Sequence, residues 1–195
     1  GGWTNEGSTS AAAGFGRVYS KVAASEGASY VFTGSGSSDN SVIMYAFIGA
    51  DNTAPFDPGL SWSSSVAGGT THTAPSITTV TSDALLICTY WIISGASNSW
   101  TAPGGMTEQS DATSGWASNG SASLALSSSG ATGTKSATST VSISTTYGNI
   151  TLSFAIKAAS SPNATATPPA KTMSATKPTP TITASATVTP AADTA

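Results

Sequence analysis

Residue types that could support hydrolytic chemistry are sparse in this chain, and the histidine is the first to consider. His72 is the single histidine among 195 residues and lies in the segment GGTTHTAP. A Ser-His-Asp triad would need it as the general base, yet no serine carries the local motif that marks a nucleophile. We therefore predict that His72 is an exposed polar residue in a loop and not a catalytic base.

The acidic residues suggest two further kinds of chemistry. Asp51 and Asp57, in ADNTAPFDP, could chelate a hard cation such as calcium, because loop carboxylates and carbonyls suit that ion. Two carboxylates at a proline-containing turn more commonly accept hydrogen bonds from backbone amides, and we predict this role. Glu6, Glu26 and Glu108 could supply a carboxylate pair for glycoside hydrolysis, but no such geometry follows from residues on separate strands.

Cys88 is the one cysteine, and it lies within the apolar run ALLICTYWII. A single cysteine excludes an intrachain disulfide and argues against a cysteine zinc site, so we predict a small buried hydrophobe. No catalytic residue, cofactor or metal site is therefore predicted. The sequence favours a protein that is not an enzyme.

Three tryptophans lie in loop-like settings rich in hydroxyl side chains: Trp62 in GLSWSSS, Trp100 in SNSWTAP and Trp116 in SGWASNG. An indole beside hydroxyls can stack on a sugar ring, so these three are the candidate glycan contacts. Alternatively, each indole folds back over the end of the domain, because it gains free energy by covering apolar surface. Trp91, inside the long apolar run, is predicted to belong to the core.

Low charge characterises the whole chain. Only 8% of residues are Asp, Glu, Lys or Arg, and the net charge is −3, whereas about 25% of an average domain is charged. The basic residues are scattered, so no basic stripe is present for a phosphate backbone and nucleic-acid binding is not predicted. No apolar run reaches the length of about 18 residues that a membrane-spanning helix needs, so no membrane partner is predicted.

Strand patterns recur along the chain, and helix patterns are nearly absent. The predicted strands are RVYSKVA (17–23), ASYVFTG (28–34), SVIMYAFIG (41–49), a strand within 76–95, SASLALSSS (121–129), KSATSTVSIST (135–145) and NITLSFAIKA (149–158). The run that begins at Ala84 is rich in β-branched and aromatic residues, which helices disfavour, so we predict a central strand buried on both faces. Short strands at this spacing indicate an all-β sandwich of jelly-roll-like or Ig-like type.

The strands fall into two matching series. GGWTNEGSTS (1–10) precedes one series, ending in SVIMYAFIGA, and GGMTEQSDAT (104–113) precedes the other, ending in NITLSFAIKA. We predict two degenerate repeats, 1–73 and 74–158, packed as one sandwich. The first repeat lacks a counterpart of the central strand, so we expect an open edge that another segment or subunit fills. Residues 1–50 should then make more intermolecular contact than residues 104–158.

Residues 159–195 form a separate tail rich in proline, threonine and alanine. Six prolines lie in it, at positions 162, 168, 169, 178, 180 and 190. This composition predicts an extended linker or stalk rather than a core. The segment TITASATVT (181–189) alternates, and the second interpretation is an arm that adds a strand to an exposed sheet edge.

A resemblance to a known family rests on an ordered series of short motifs. The series GGWT, VYSKVAASEGASYVFTGS, YAFIGADNTAPFD, APSITTVTSDALLI, APGGMTE, GATGTKSATS and FAIKA resembles a β-rich domain common among predicted phage and prophage virion proteins. It covers residues 1–158 and departs from the family pattern at Gly1, where Pro or Ala is typical, and at AFIGAD. Members usually carry a further N-terminal strand pair, and this chain begins within the motif that ends it. The family offers no catalytic residues to transfer.

The resemblance implies a non-enzymatic bacteriophage virion structural protein at the particle surface, of the capsid decoration or fibre type. Its partners would be other virion subunits, in a homo-oligomer or a larger assembly, with a host-surface glycan as a candidate ligand. The alternative is a secreted bacterial adhesin or carbohydrate-binding module.

Overall fold

The computed structural model describes residues 2–11, 14–26, 29–33, 41–93, 97–143, 146–159 and 181–184. These residues form antiparallel strands and contain no helix, which confirms the all-β prediction. The strands are β1 (Thr4–Ala11), β2 (Gly14–Ser20), β3 (Tyr30–Thr33), β4 (Ser61–Ser65), β5 (Gly69–Ala74), β6 (Thr78–Thr79), β7 (Leu85–Ile93), β8 (Trp100–Thr101), β9 (Thr107–Ser114), β10 (Ala117–Ala125), β11 (Gly130–Ala131), β12 (Lys135–Ile143), β13 (Asn149–Ile156) and β14 (Thr181–Ala184).

The largest sheet has five strands in the order β4-β13-β7-β10-β9. Its central strand, β7, supplies side chains to two cores, with Leu86, Cys88 and Tyr90 on one face and Leu85 and Ile87 on the other. A strand covered on both faces needs apolar side chains at nearly every position, which explains the continuous apolar run. The predicted doubly buried strand and the buried cysteine are both confirmed.

A three-stranded sheet, in the order β5-β12-β8, covers one face of the five-stranded sheet. Ala74 of β5, Trp100 of β8, and Ala137 and Ile143 of β12 belong to the same core cluster as the Tyr90 side of β7. The burial of β12 alternates along much of its length, as expected for a strand with one face toward a core. Two sheets packed face to face make this part of the molecule a β-sandwich.

The opposite face of the five-stranded sheet is covered by residues 45–60 and by the β1–β2 hairpin. Val18 of β2 packs against the core formed there by β7 and β13. The hairpin approaches closely at Gly16, where a Cβ atom would lie 3.0 Å from the Trp62 ring and 3.2 Å from the Ile150 side chain. Glycine at this position therefore allows the hairpin to lie on the sheet.

The predicted strand at residues 41–49 is wrong. Residues 41–47 form no strand and cross the five-stranded sheet instead. Ser41 accepts a hydrogen bond from the Asn119 amide of β10 at one end of the crossing, and Ala50 forms an isolated bridge with Ala158, just past β13, at the other. β10 and β13 are each paired on both edges, so neither strand extends its ladder to this run. Its Tyr45 and Phe47 side chains pack instead against the core on this face of the sheet.

The boundary predicted between residues 73 and 74 falls inside β5. Strands β4 and β5 pair with β13 and β12, so one sandwich draws on residues from both sides of the boundary. The two matched series take different structures, since NITLSFAI forms β13 whereas residues 41–47 form no strand.

The tail contributes β14, which pairs antiparallel with β3. The strand interpretation of TITASATVT therefore holds for Thr181–Ala184. Residues 160–180 and 185–195 lie outside the described residues.

Candidate functional site

His72 lies in the core, and its prediction as an exposed loop residue is wrong. The segment GTTHTA forms β5, where alternation directs His72 and Ala74 inward while Thr71 and Thr73 are exposed. The side chain is 1% exposed. Hydroxyl-rich residues next to a Gly-Gly pair resemble a loop in the sequence, but their period of two is that of a strand with one buried face.

Two side chains hold the imidazole, one from the adjacent strand β12 and one from β13 of the facing sheet. His72 Nε2 lies 2.8 Å from Ser139 Oγ of β12, and Nδ1 lies 2.9 Å from Asn149 Nδ2 of β13. All three side chains are buried. The Trp100 ring packs edge-on against the imidazole, with the ring centroids 5.2 Å apart.

The contacts of Ser139 determine which imidazole nitrogen carries the proton. Ser139 Oγ lies 2.8 Å from the carbonyl oxygen of Val141, and two oxygens at that distance need the hydroxyl hydrogen between them. Ser139 Oγ therefore accepts from His72, whose Nε2 must be protonated. Nδ1 then accepts a hydrogen bond from the Asn149 amide.

This tautomer is the reverse of the one that general-base catalysis needs. A histidine that activates a serine accepts the hydroxyl proton at Nε2, whereas here Nε2 donates to Ser139 and the serine proton points to a backbone carbonyl. Burial also lowers the pKa of His72 to about 4, so the imidazole is neutral near pH 7. The cluster joins β5, β12 and β13 across the core.

Trp100 is 6% exposed and is not available to stack on a sugar. Its indole Nε1 donates to Ser118 Oγ at 2.9 Å, and its ring packs against Tyr90 and over Gly120. The fold-back interpretation is correct for this residue. The glycan-contact prediction for Trp100 is wrong because the sandwich closes over the indole.

Trp62 and Trp116 have different environments. Trp62, in β4, is half-buried and stacks on Trp91 with the ring centroids 6.1 Å apart. Trp116 lies in the β9–β10 turn and is 49% exposed, with its ring edge-on to Tyr147 at a centroid distance of 6.0 Å. The three candidate tryptophans therefore form no exposed row, and Trp116 is the one that faces solvent.

Asp51 and Asp57 bind backbone amides, as predicted. Asp57 is buried and accepts hydrogen bonds from the amides of Val80 and Thr81 and from the Thr81 hydroxyl. Burial alone would raise the pKa of the Asp57 carboxyl, but these donors hold it below its usual value. Asp51 accepts from two amides of its own turn and pairs with Lys157 at 3.0 Å, which lowers its pKa to about 2.

The three glutamates lie on separate elements. Glu6 of β1 accepts a hydrogen bond from Ser20, and Glu26 accepts from Lys21 Nζ at 2.6 Å and from the Tyr30 hydroxyl. The Lys21 bond is the largest cause that lowers the pKa of Glu26 to about 2. Glu108 is exposed on the edge strand β9. In the part of the chain that the structure describes, no group of three or more His, Cys, Asp or Glu residues could hold a metal ion.

Comparison of the chain with protein-family models, with curated proteins and with solved structures found no match. Among the described residues, no helix is long and apolar enough to cross a bilayer.

Proposed function

We propose that this chain is a non-enzymatic structural protein of the bacteriophage virion surface, of the capsid decoration or fibre type, that works through protein–protein contacts. The observation that carries the proposal is the distribution of exposed hydrophobic side chains. Among the described residues, nine large hydrophobic side chains are exposed, and five of them lie within residues 3–31: Trp3, Phe15, Tyr19, Val22 and Val31.

Three of these five side chains are more than half exposed, Val22 at 51% among them. Phe15, in the β1–β2 hairpin, is 81% exposed, and Val31, in β3, is 57% exposed. They lie in and beside the β1–β2 hairpin and strand β3, one stretch of the chain, and exposed apolar side chains of this size are candidates for contact with another protein. Among the described strands, the hairpin and β3 belong to separate two-stranded sheets and not to the sandwich sheets, so they are suited to contact a neighbouring subunit.

The buried polar groups support a structural role as well. His72 and Asp57, two buried residues with ionisable side chains, each make hydrogen bonds that join elements of the fold. The ordered motifs that resemble a phage virion domain agree with this role.

The test is the location of the protein in particles. Phage particles purified by density gradient should contain the protein by mass spectrometry, and antibodies against the sandwich should label intact particles by immunogold electron microscopy. Labelling of intact particles would place the protein at the surface rather than inside. Its absence from purified particles, together with its presence in the secreted fraction of uninfected cells, would refute the proposal and favour the adhesin or carbohydrate-binding alternative.

That alternative has one observation in its favour, the exposed Trp116 beside Tyr147. Two aromatic rings at one end of a sandwich can stack on a sugar. If the protein binds glycans here, Trp116→Ala should abolish binding on a glycan array while the free energy of unfolding changes by less than about 1 kcal/mol. Trp62→Phe is the matched control, since Trp62 is covered by the hairpin and its replacement should leave glycan binding unchanged.

A further inference from the structure

Strand β3 has a single hydrogen-bonded neighbour among the described residues, the tail strand β14. Four residue pairs define the register, from Thr181 opposite Thr33 to Ala184 opposite Tyr30. The Trp3 ring contacts Tyr30 and Phe32, with ring centroids 5.3 and 5.5 Å apart. Without β14, the backbone of β3 would be an open edge that accepts a strand.

The pairing is short enough to exchange. A two-stranded ribbon is marginally stable in water, and this one has four residue pairs. An equivalent strand from another copy would form the same backbone hydrogen bonds, so exchange between copies costs none of them. Val31, on β3, also leaves its side chain largely exposed for a neighbour to cover.

The chain is long enough to reach a neighbour. Residues 160–180, which number 21, separate the last described residue of the sandwich from β14. An extended segment of that length spans up to about 70 Å, whereas a domain of about 150 residues has a radius of gyration of about 15 Å. The tail strand of one copy can therefore reach β3 of a copy packed beside it.

We propose that β3 is a strand-acceptor edge and that its occupant in the assembled protein is the Thr181–Ala184 strand of a second copy of this chain. A peptide tether gives a strand an effective concentration in the millimolar range, and subunits packed side by side also hold the tail strand of one copy close to β3 of the next. Pairing between copies would then link subunits by β-augmentation. This inference rests on the proposed role as an assembly subunit, but its test uses the purified full chain and no particles.

The test is disulfide cross-linking across the register pair of Val31 and Thr183. Val31→Cys is introduced in one full-length copy and Thr183→Cys in another, and the two are mixed and oxidised under native conditions. The native Cys88 is buried and stays out of reach. We expect a covalent heterodimer whose yield rises with protein concentration, with the linkage between positions 31 and 183 identified by peptide mass. The off-register control replaces Thr183→Cys by Ile182→Cys and should give about tenfold less cross-linked product. A tenfold ratio corresponds to a free-energy difference of about 1.4 kcal/mol.

A second variant keeps the result interpretable. Val31→Cys and Thr183→Cys in the same copy should form an intramolecular disulfide at low concentration and intermolecular disulfides at high concentration. Cross-linking within single copies, with no heterodimer from the mixture at any concentration, would show that the strand stays on its own chain and overturn the proposal. Absence of both products would overturn it too, because the register pair would not form. Failure of the virion proposal would be seen in the particles and not in this assay.

Discussion

The stability of this protein should fall with acidification below about pH 6.5 because of His72. The pKa of an unfolded histidine is 6.5, and burial lowers that of His72 to about 4 in the fold. Between these values the unfolded chain binds a proton that the folded chain excludes, so the free energy of unfolding falls as the pH falls. The contribution of the neutral imidazole is fully present above pH 6.5 and is lost by about pH 4.

The magnitude follows from the two pKa values. Each pH unit between them costs about 1.4 kcal/mol, so the loss from pH 6.5 to pH 4 is about 3 kcal/mol. The geometry gives the local reason. A protonated Nδ1 would face the Asn149 amide, which is itself a donor at 2.9 Å, so the imidazolium gains no acceptor there. A loss of this size is a large part of the roughly 5–15 kcal/mol typical of a domain.

Urea denaturation followed by tryptophan fluorescence, at a series of pH values from about 7 to about 4, measures this loss. His72→Gln keeps an amide that can donate to Ser139 but cannot titrate. Between about pH 7 and about pH 4, its free energy of unfolding should therefore fall by about 3 kcal/mol less than that of the wild type. Ser139→Ala is the matched control, because it retains the histidine and should retain the slope. The carboxylates are common to all three proteins, including Glu108, whose pKa is raised by desolvation and by Asp111. Equal slopes for the wild type and His72→Gln would contradict this account of the buried imidazole.

Two further changes test the packing of the sandwich. Gly120→Ala should destabilise the protein by about 3 kcal/mol in urea denaturation, because the new Cβ would lie 2.5 Å from Trp100 Cγ. Gly104→Ala, which meets no atom within 4 Å, should change stability by less than about 1 kcal/mol, and equal effects would be inconsistent with the packing described. Asp57→Asn should cost about 2 kcal/mol, because the amide replaces one acceptor oxygen beside Thr81 by a donor. A thermal melt unchanged by this substitution would show that the Asp57 hydrogen bonds contribute little.

The strands that alternate or are apolar throughout could be predicted from the sequence. The run through Cys88 is rich in β-branched and aromatic residues, which have low helix propensity, and it forms β7. NITLSFAI forms β13, with Leu152 and Phe154 on the same face. In these segments the local preference and the tertiary environment agree, so local reasoning suffices.

The segment 41–49 has the same local preference, yet residues 41–47 form no strand. Strand formation needs a neighbouring strand with a free edge, and β10 and β13, the strands next to the two ends of this segment, are each paired on both edges by other parts of the chain. The apolar residues from 42 to 47 are partly buried, but they cover a sheet instead of joining it. Composition specifies burial here, and topology specifies the hydrogen bonding.

Local sequence patterns were sufficient to predict the all-β class, the central doubly buried strand, the buried cysteine and the amide-binding role of Asp51, whose amide partners are two and three positions away. Asp57 was also predicted to bind amides, but its partners, Val80 and Thr81, are 23 and 24 positions away and are set by the tertiary structure. The environments of His72 and Trp100 depend instead on how the sheets pack. The partners of His72 are 67 and 77 positions away in the chain, at Ser139 and Asn149. A hydroxyl-rich segment has the same composition in a loop as in a strand, so its burial depends on which sheet packs over it.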